Sequence, residues 1–336
     1  MQVDLSVYLS LAFLFGIAAQ FRAMDGYAFL RRVVASLEGR VGILAAVAIV
    51  TFAASPFVLN DVVVIILTPV VVKYGKQFNV DPAPLVAAEL VFTNIASSIT
   101  PFGNPQNIII WAASGISVGA FVVGTLPRLA ASTLLASIAL VPLALRSGWK
   151  NDFPSSLGSL VPALYLGLVG AIIVLSDVLG APPFVPLGLG FLIGFAFTFR
   201  SAGFVVKEFD LRALLTLYAF VTAVIVASYF LLSQFLPYVD PVVRGEQPYS
   251  GAFMALVSSV ISNVPATQLV VSAGQVSSAH APLLAVQAGL AGNLGPVASF
   301  ANILALQISS KGGVSAKKII AVQFVVGLVC YVPALL

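Results

Sequence analysis

Long apolar runs separated by short polar gaps dominate the chain. Ten such units stand out, at approximately residues 5–21, 41–75, 84–118, 119–145, 157–177, 183–199, 213–236, 250–276, 281–309 and 316–336. A helix needs about 20 apolar residues to cross the hydrocarbon core, so most units predict one transmembrane helix each. Units 41–75 and 84–118 are too long for one straight span, and 250–276 is too short for two. These three and unit 281–309 also carry polar, Pro- or Gly-bearing breaks. The misfit predicts helical hairpins at 41–75 and 250–276 and broken helices at 84–118 and 281–309.

Composition removes the soluble alternatives. The 336 residues include only 16 Lys and Arg and 12 Asp and Glu, 8% in all, and the mean hydropathy is +1.08. Soluble domains carry roughly 25% charged residues. No water-facing surface can be built from this chain, which reads as an all-α polytopic protein of the cell (inner) membrane with the lipid bilayer as its partner. The net charge of +4 bears on topology and does not imply nucleic acid. A single cysteine, Cys330, excludes an internal disulfide and a Cys-based metal site and reads as a small apolar residue of the terminal helix. The opening Met-Gln-Val-Asp lacks the basic region of a cleavable signal peptide, so the first apolar stretch is expected to stay in the mature protein.

The positive-inside rule decides which units cross. With the N-terminus outside, hairpins at 41–75 and 250–276, and one crossing for every other unit, loops 22–40, 146–156, 200–212 and 310–317 are cytoplasmic. Of the basic residues, only Arg128 and Arg244 then fall outside. Making either hairpin a single crossing reverses every later loop and spoils the asymmetry. The hairpins therefore enter from opposite sides, as an inverted-topology repeat produces. The letters agree: Ser55 and Asn60 match Ser258 and Asn263 at an offset of 203, and Pro101 and Asn107 match Pro296 and Asn302 at an offset of 195. The division expected is a first repeat over 1–150 and a second over 151–336, joined near RSGWKNDFPSS at 146–156. Segments 22–40 and 200–212 read as interfacial helices at corresponding places.

An unpaired backbone group in hydrocarbon costs several kcal/mol, so four breaks at membrane depth point to a binding site. A kinked helix that binds nothing is the plain alternative for any one break, but not for two symmetry-related pairs. Each break carries helix-start chemistry: Asn60 before Asp61, Asn104 before Pro105, Asn263 before Val264 and Pro265, and Gly295 before Pro296. Four helix N-termini aimed at the midplane favour an anion, and the unwound carbonyls beside them can hold a dehydrated cation. Asp61 stands out because an ionised carboxylate near the bilayer centre costs at least ~2.5 kcal/mol. It can carry a coupling proton, ligate a coupling cation, or complement its own helix dipole. Glu89 reads as a snorkelling or paired residue nearer the interface, and His280 as an inert residue of an outside loop. GFLIG at 190–194 suits close helix packing. One histidine and one carboxylate at depth cannot supply a His-Glu-x-x-His site, an aspartyl dyad or a Ser-His pair, and no phosphate-cradling loop exists, so the chain is not expected to be an enzyme.

At these residues the chain resembles the ion transporter superfamily, which includes arsenite permeases, sodium/proton antiporters of that type and divalent anion/sodium symporters. NDVVVIILTPVV at 60–71 and SSVISNVPA at 258–266 are similar to its hairpin tips, and NIASSITPFGNPQNIII at 94–110 and AGNLGPVASFANILAL at 291–306 to its broken helices. The resemblance implies a dimeric elevator-type secondary transporter. It implies substrate contacts at Asn60, Asp61, Asn104, Asn107, Ser262, Asn263, Thr267 and Asn302. Coupling-ion contacts are implied at Asn60, Asp61, Thr100, Gly103, Asn104, Asn263, Asn293 and Gly295, with Na⁺ as the possible ion and no other cofactor. The tips read Leu-Asn-Asp and Ser-Asn-Val where dicarboxylate symporters tend to carry Ser-Asn-Thr, which favours the arsenite-permease side. The expected function is transport of a small anion, an arsenite-like oxyanion or a carboxylate, coupled to Na⁺ or H⁺; the alternative is a Na⁺/H⁺ antiporter.

Overall fold

The computed structural model describes residues 5–78, 80–144, 159–182, 184–209 and 211–336. The junction expected at 146–156 and the opening residues 1–4 lie outside the described residues.

The described residues are helical apart from turns. α1 (Leu5–Ala23) and α2 (Gly26–Val41) precede a hairpin of α3 (Ile43–Ala54) and α4 (Asn60–Phe78). α5 (Pro82–Ser97) and α6 (Pro105–Ser114) are the halves of one broken helix, followed by α7 (Val118–Ala144). The second half opens with α8 (Val161–Val178), α9 (Phe184–Thr198), α10 (Ala202–Glu208) and α11 (Leu211–Val243). A second hairpin, α12 (Tyr249–Ile261) and α13 (Asn263–Ala273), leads into a second broken helix, α14 (Ala281–Ala291) and α15 (Phe300–Lys311), and then α16 (Ala316–Tyr331).

This is the architecture expected from the length misfit: an all-helical inverted repeat with two hairpins and two broken helices. Among the described residues, four helical stretches are long and apolar enough to cross a membrane, at 118–140, 161–178, 184–208 and 316–334. The hairpin arms and broken halves run only 10–19 residues. The long outer helices present apolar side chains outward, among them Val123, Leu134, Leu175 and Leu192 at 62–70% exposure. A solvated protein does not display such a face, whereas lipid covers it without penalty.

The two hairpins turn for different reasons. After α3, Ser55-Pro56 stops the helix, because proline has no N–H and its ring blocks the preceding turn. The second turn is a single residue, Ser262, at φ 74° and ψ 156°. A side chain is strained there, and non-glycine residues in such conformations cluster at functional sites.

α5 and α14 form the centre, with 14 and 10 buried residues respectively, so both hairpins pack around a pair of almost wholly buried helices. α1, α8 and α9 make a separate layer. Its polar tie is Gln20, which donates to Phe191 O (2.8 Å) and accepts from Tyr165 Oη (2.6 Å). The glycines of GFLIG therefore serve packing within the chain. A Cβ on Gly194 would sit 2.0 Å from Gln20 Oε1 and 2.7 Å from Tyr165 Oη. Gly194→Ala is expected to destabilise the protein by about 1–3 kcal/mol, the usual range for overpacking. Thermal unfolding in detergent checks this; an unchanged midpoint would remove the claim.

Candidate functional site

Each break leaves backbone groups that must find partners away from water. In the first, Asn107 Nδ2 donates to Ser97 O (3.1 Å) and Thr100 O (2.8 Å). In the second, Asn302 Nδ2 donates to Gly292 O (2.6 Å) and Gly295 O (2.8 Å). The offset of 195 relates all three residues of one set to those of the other. The hairpin tips dock by one further matched pair: Asn60 N–H donates to Gly103 O and Asn263 N–H to Ala298 O, both at 3.0 Å. The same construction thus closes both halves, down to single hydrogen bonds.

Between the docked tips lies a cavity of about 460 Å³. Four helix N-termini reach its wall: α4 at Asn60 and Asp61, α6 at Asn104, Pro105 and Gln106, α13 at Asn263, and α15 at Ser299 and Phe300. α6, α13 and α15 have no side-chain hydrogen bond at their N-caps. Uncapped N–H groups and positive dipole ends therefore converge on one space, which suits an anion. Phe15 of α1 and Thr216 of α11 close the opposite wall. Asn60 Nδ2 approaches Ser299 Oγ at 3.5 Å and links the two halves.

Of the residues singled out in the sequence, Asn60, Asp61, Asn104, Ser262 and Asn263 line the cavity. Asn107 and Asn302 brace the breaks from behind it. Thr100 Oγ1 donates to Pro56 O and accepts from Phe102 N–H (3.2 Å), while Asn293 Oδ1 accepts from Asn94 Nδ2 (2.8 Å). Gly103 and Gly295 contribute carbonyls already engaged as above. Thr267 is buried one turn beyond Asn263, and its hydroxyl has no protein partner among the described residues. Asp61 stands in the first turn of α4, and its N–H donates to Asn60 Oδ1 (2.9 Å).

Two expectations change. The fourth helix does not start at Gly295-Pro296: Ser299 is the N-cap and Phe300 the first residue, with Pro296 inside the bend. The signal was available, because the 195 offset sets Ser299 opposite Asn104. Glu89 is not a snorkelling residue but is wholly buried on α5. His280, read as a loop residue, lies in the turn just before α14, where it is 8% exposed. Burial pushes its imidazole below the ordinary value, against a hydrogen bond to the Val242 backbone that raises it.

Oxygens for a monovalent cation are present at both tips. The buried hydroxyls of Ser55 and Ser258, related by the 203 offset, have no protein partner among the described residues. Each belongs to the last turn before a tip whose far end is Asn60 or Asn263. Among the described residues no cluster of three or more His, Cys, Asp or Glu side chains could hold a transition metal.

Known proteins are similar to parts of this chain. The silicon efflux transporter LSI3 of Oryza sativa subsp. japonica is 36% identical over 94 residues, 28% of this chain and 19% of that protein. Inner membrane protein YbiR of Escherichia coli (strain K12) is 35% identical over 80 residues, 24% of this chain and 22% of its own length. The chain thus covers about a fifth of the length of these two relatives. Among solved structures, the Alcanivorax borkumensis YdaH transporter aligns with 98% of this chain and 83% of its own at a TM-score of 0.46 and 14% identity. The profile of the citrate transporter family, CitMHS, matches residues 1–291, a stretch that takes in both hairpins and the first broken helix. That match extends over most of the 336 residues, and the chain belongs to the citrate transporter family.

Proposed function

We propose that this protein is a secondary active transporter that moves a small anion, a carboxylate or an arsenite-like oxyanion, in a cell membrane, coupled to Na⁺ or H⁺. The observation that carries this reading is the convergence of four helix N-termini on one cavity between two docked tips. The name of the family supports a carboxylate such as citrate; the name of the silicon efflux transporter among the relatives supports a small inorganic solute. The paired Ser55 and Ser258 hydroxyls, with Asn60 and Asn263, are the coupling-cation ligands in this reading. The hairpins and broken helices form the moving unit, sliding along the layer of α1, α8 and α9 that supplies Phe15, in a homodimer with its N-terminus outside.

Purified protein in liposomes, given citrate, arsenite or silicic acid with Na⁺ and pH gradients imposed separately, tests the reading. Accumulation of one of them under one gradient is the expected result, and no uptake of any under either gradient sinks it. Asp61→Asn is expected to abolish gradient-driven uptake. If the loss is confined to the pH gradient, Asp61 carries a proton; if to the Na⁺ gradient, it ligates the cation. Unaltered uptake leaves only the dipole role.

A Na⁺/H⁺ antiporter is the second reading, favoured by one observation. Asp61 is the one carboxylate on the cavity wall among the described residues. Na⁺-driven proton flux without any anion, lost in Asp61→Asn, would select this reading over the first.

A further inference from the structure

Glu89 takes no part in the cavity, yet among the described residues it is the one buried carboxylate. Its residue is 0% exposed, in the middle of a helix buried on every side. Oε1 accepts a hydrogen bond from Thr68 Oγ1 of α4 at 2.9 Å, and Oε2 has no protein partner among the described residues. A buried carboxylate with one neutral hydrogen bond lacks the compensation that burying a charge requires.

No cation supplies it. The elements packed against α5 are α3, α4, α7, α14, α15, α16 and the 3-10 turn Gly292–Leu294, which has no titratable side chain. α3 and α14 have no titratable side chain, with His280 just before α14. α4 carries Asp61, Lys73, Tyr74 and Lys76, of which the two lysines are exposed. α7 contributes Arg128 and α15 contributes Lys311. On α16, Lys318 pairs with Asp81, Tyr331 donates to Gly251 O and Cys330 to Gly327 O, and Lys317 completes the set. No ion pair joins Glu89 to any described residue.

The surroundings of Glu89 are also patterned. Thr93 and Ser97 follow it at intervals of four, so the three polar side chains share one face of a helix that is otherwise apolar there except for Asn94. Thr93 Oγ1 is buried without a protein partner among the described residues. Ser97 Oγ accepts from Asn104 Nδ2, and Asn104 lines the cavity. The stripe covers about 12 Å of helix at 1.5 Å per residue and ends at the site. A side chain needed only to tie α4 to α5 would serve as well as glutamine, without any cost of ionisation.

From this we infer that Glu89 is a proton-binding site for transport, exchanging its proton with the cavity along the hydroxyl stripe of Thr93 and Ser97, which ends beside Asn104 on the cavity wall. The inference rests on the transport reading and adds the identity of a coupling ion. An O–H bond forms at Oε2 when a proton enters and breaks when it leaves; nothing is oxidised or reduced. Loading neutralises the one carboxylate buried in the moving unit, so the unit crosses the membrane without an uncompensated charge.

Two measurements test it. Infrared difference spectra of wild type against Glu89→Gln, across pH, are expected to show a protonated-carboxyl band that belongs to Glu89 and titrates. Absence of that band at every pH overturns the inference, whether or not a substrate is known. In pyranine-loaded liposomes offered citrate, arsenite or silicic acid, Glu89→Gln is expected to lose pH-gradient-driven accumulation and substrate-linked proton entry. Exchange of labelled substrate across the membrane should persist, which shows an intact fold and cavity. Thr93→Val is expected to slow proton entry and leave exchange unchanged. Full pH-driven accumulation by Glu89→Gln overturns the inference. If wild type moves none of the three solutes, the transport reading fails, while the infrared band still decides whether Glu89 binds a proton.

Discussion

Gly103→Ala is expected to abolish transport and to lower the thermal unfolding midpoint more than any other single methyl added near the cavity. A Cβ at Gly103 would lie 2.2 Å from Ser97 O and 2.6 Å from Ser55 O. Both are backbone atoms, so no rotamer change relieves the clash; the tip of the first hairpin has to move off the break. That movement pulls Asn60 N–H away from Gly103 O, and with it the start of α4 and Asp61 on the cavity wall. Overpacking usually costs about 1–3 kcal/mol, and a clash between two backbone segments belongs at the upper end. The second half supplies the control. A Cβ at Gly295 meets nothing closer than 3.6 Å, so Gly295→Ala should leave stability and uptake close to wild type. Ala298, matched to Gly103 by the 195 offset, already carries a Cβ beside the second tip. The repeat is therefore symmetric in its backbone hydrogen bonds but not in the space around them. Full uptake and an unchanged midpoint for Gly103→Ala would show that the first tip is not held as the structure holds it.

The breaks and hairpins were legible because membrane thickness sets a length standard that units 41–75 and 84–118 visibly violate. Asn60, Asn104 and Asn263 were legible for a second reason: Asn just before or at a helix start, beside Pro or Asp, is local chemistry that does not depend on the rest of the fold. Gly295-Pro296 misled through that same chemistry. A Gly-Pro pair starts helices, but here it sits in a bend whose carbonyl is taken by Asn302, and the helix waits until Ser299. The roles of Asn107 and Asn302 were not legible. Polarity and depth say that a side chain needs partners, but whether it points into a cavity or back at a broken backbone depends on helix rotation. Glu89 escaped for a tertiary reason as well. Its distance from the end of its unit suggested an interface, and only the packing of six surrounding helices buries it.

That distinction between bracing a break and binding a ligand leads to a second large effect. Asn107→Ala and Asn302→Ala should each unfold at lower temperature, with Asn302→Ala the worse. Either change strips two carbonyls of their donor, and a buried group left unpaired costs about 1–3 kcal/mol, or about 2–6 kcal/mol per variant. Asn302 has more to lose, because its Oδ1 also accepts from Asn94 Nδ2 (3.4 Å) and Gln323 Nε2 (3.0 Å). Asn107 Oδ1 has no protein partner among the described residues. If these residues instead contacted substrate, as the family resemblance implies, the variants would keep their unfolding midpoints and show a raised KM for uptake. If they brace the breaks, the midpoint falls and kcat falls with it as the cavity wall loosens. In that case Asn104→Ala, at the wall itself, should show the opposite split, with KM rising more than stability is lost. Measuring unfolding and uptake on the same three preparations separates the two roles, and a raised KM at a wild-type midpoint for Asn302→Ala would put that side chain in the site after all.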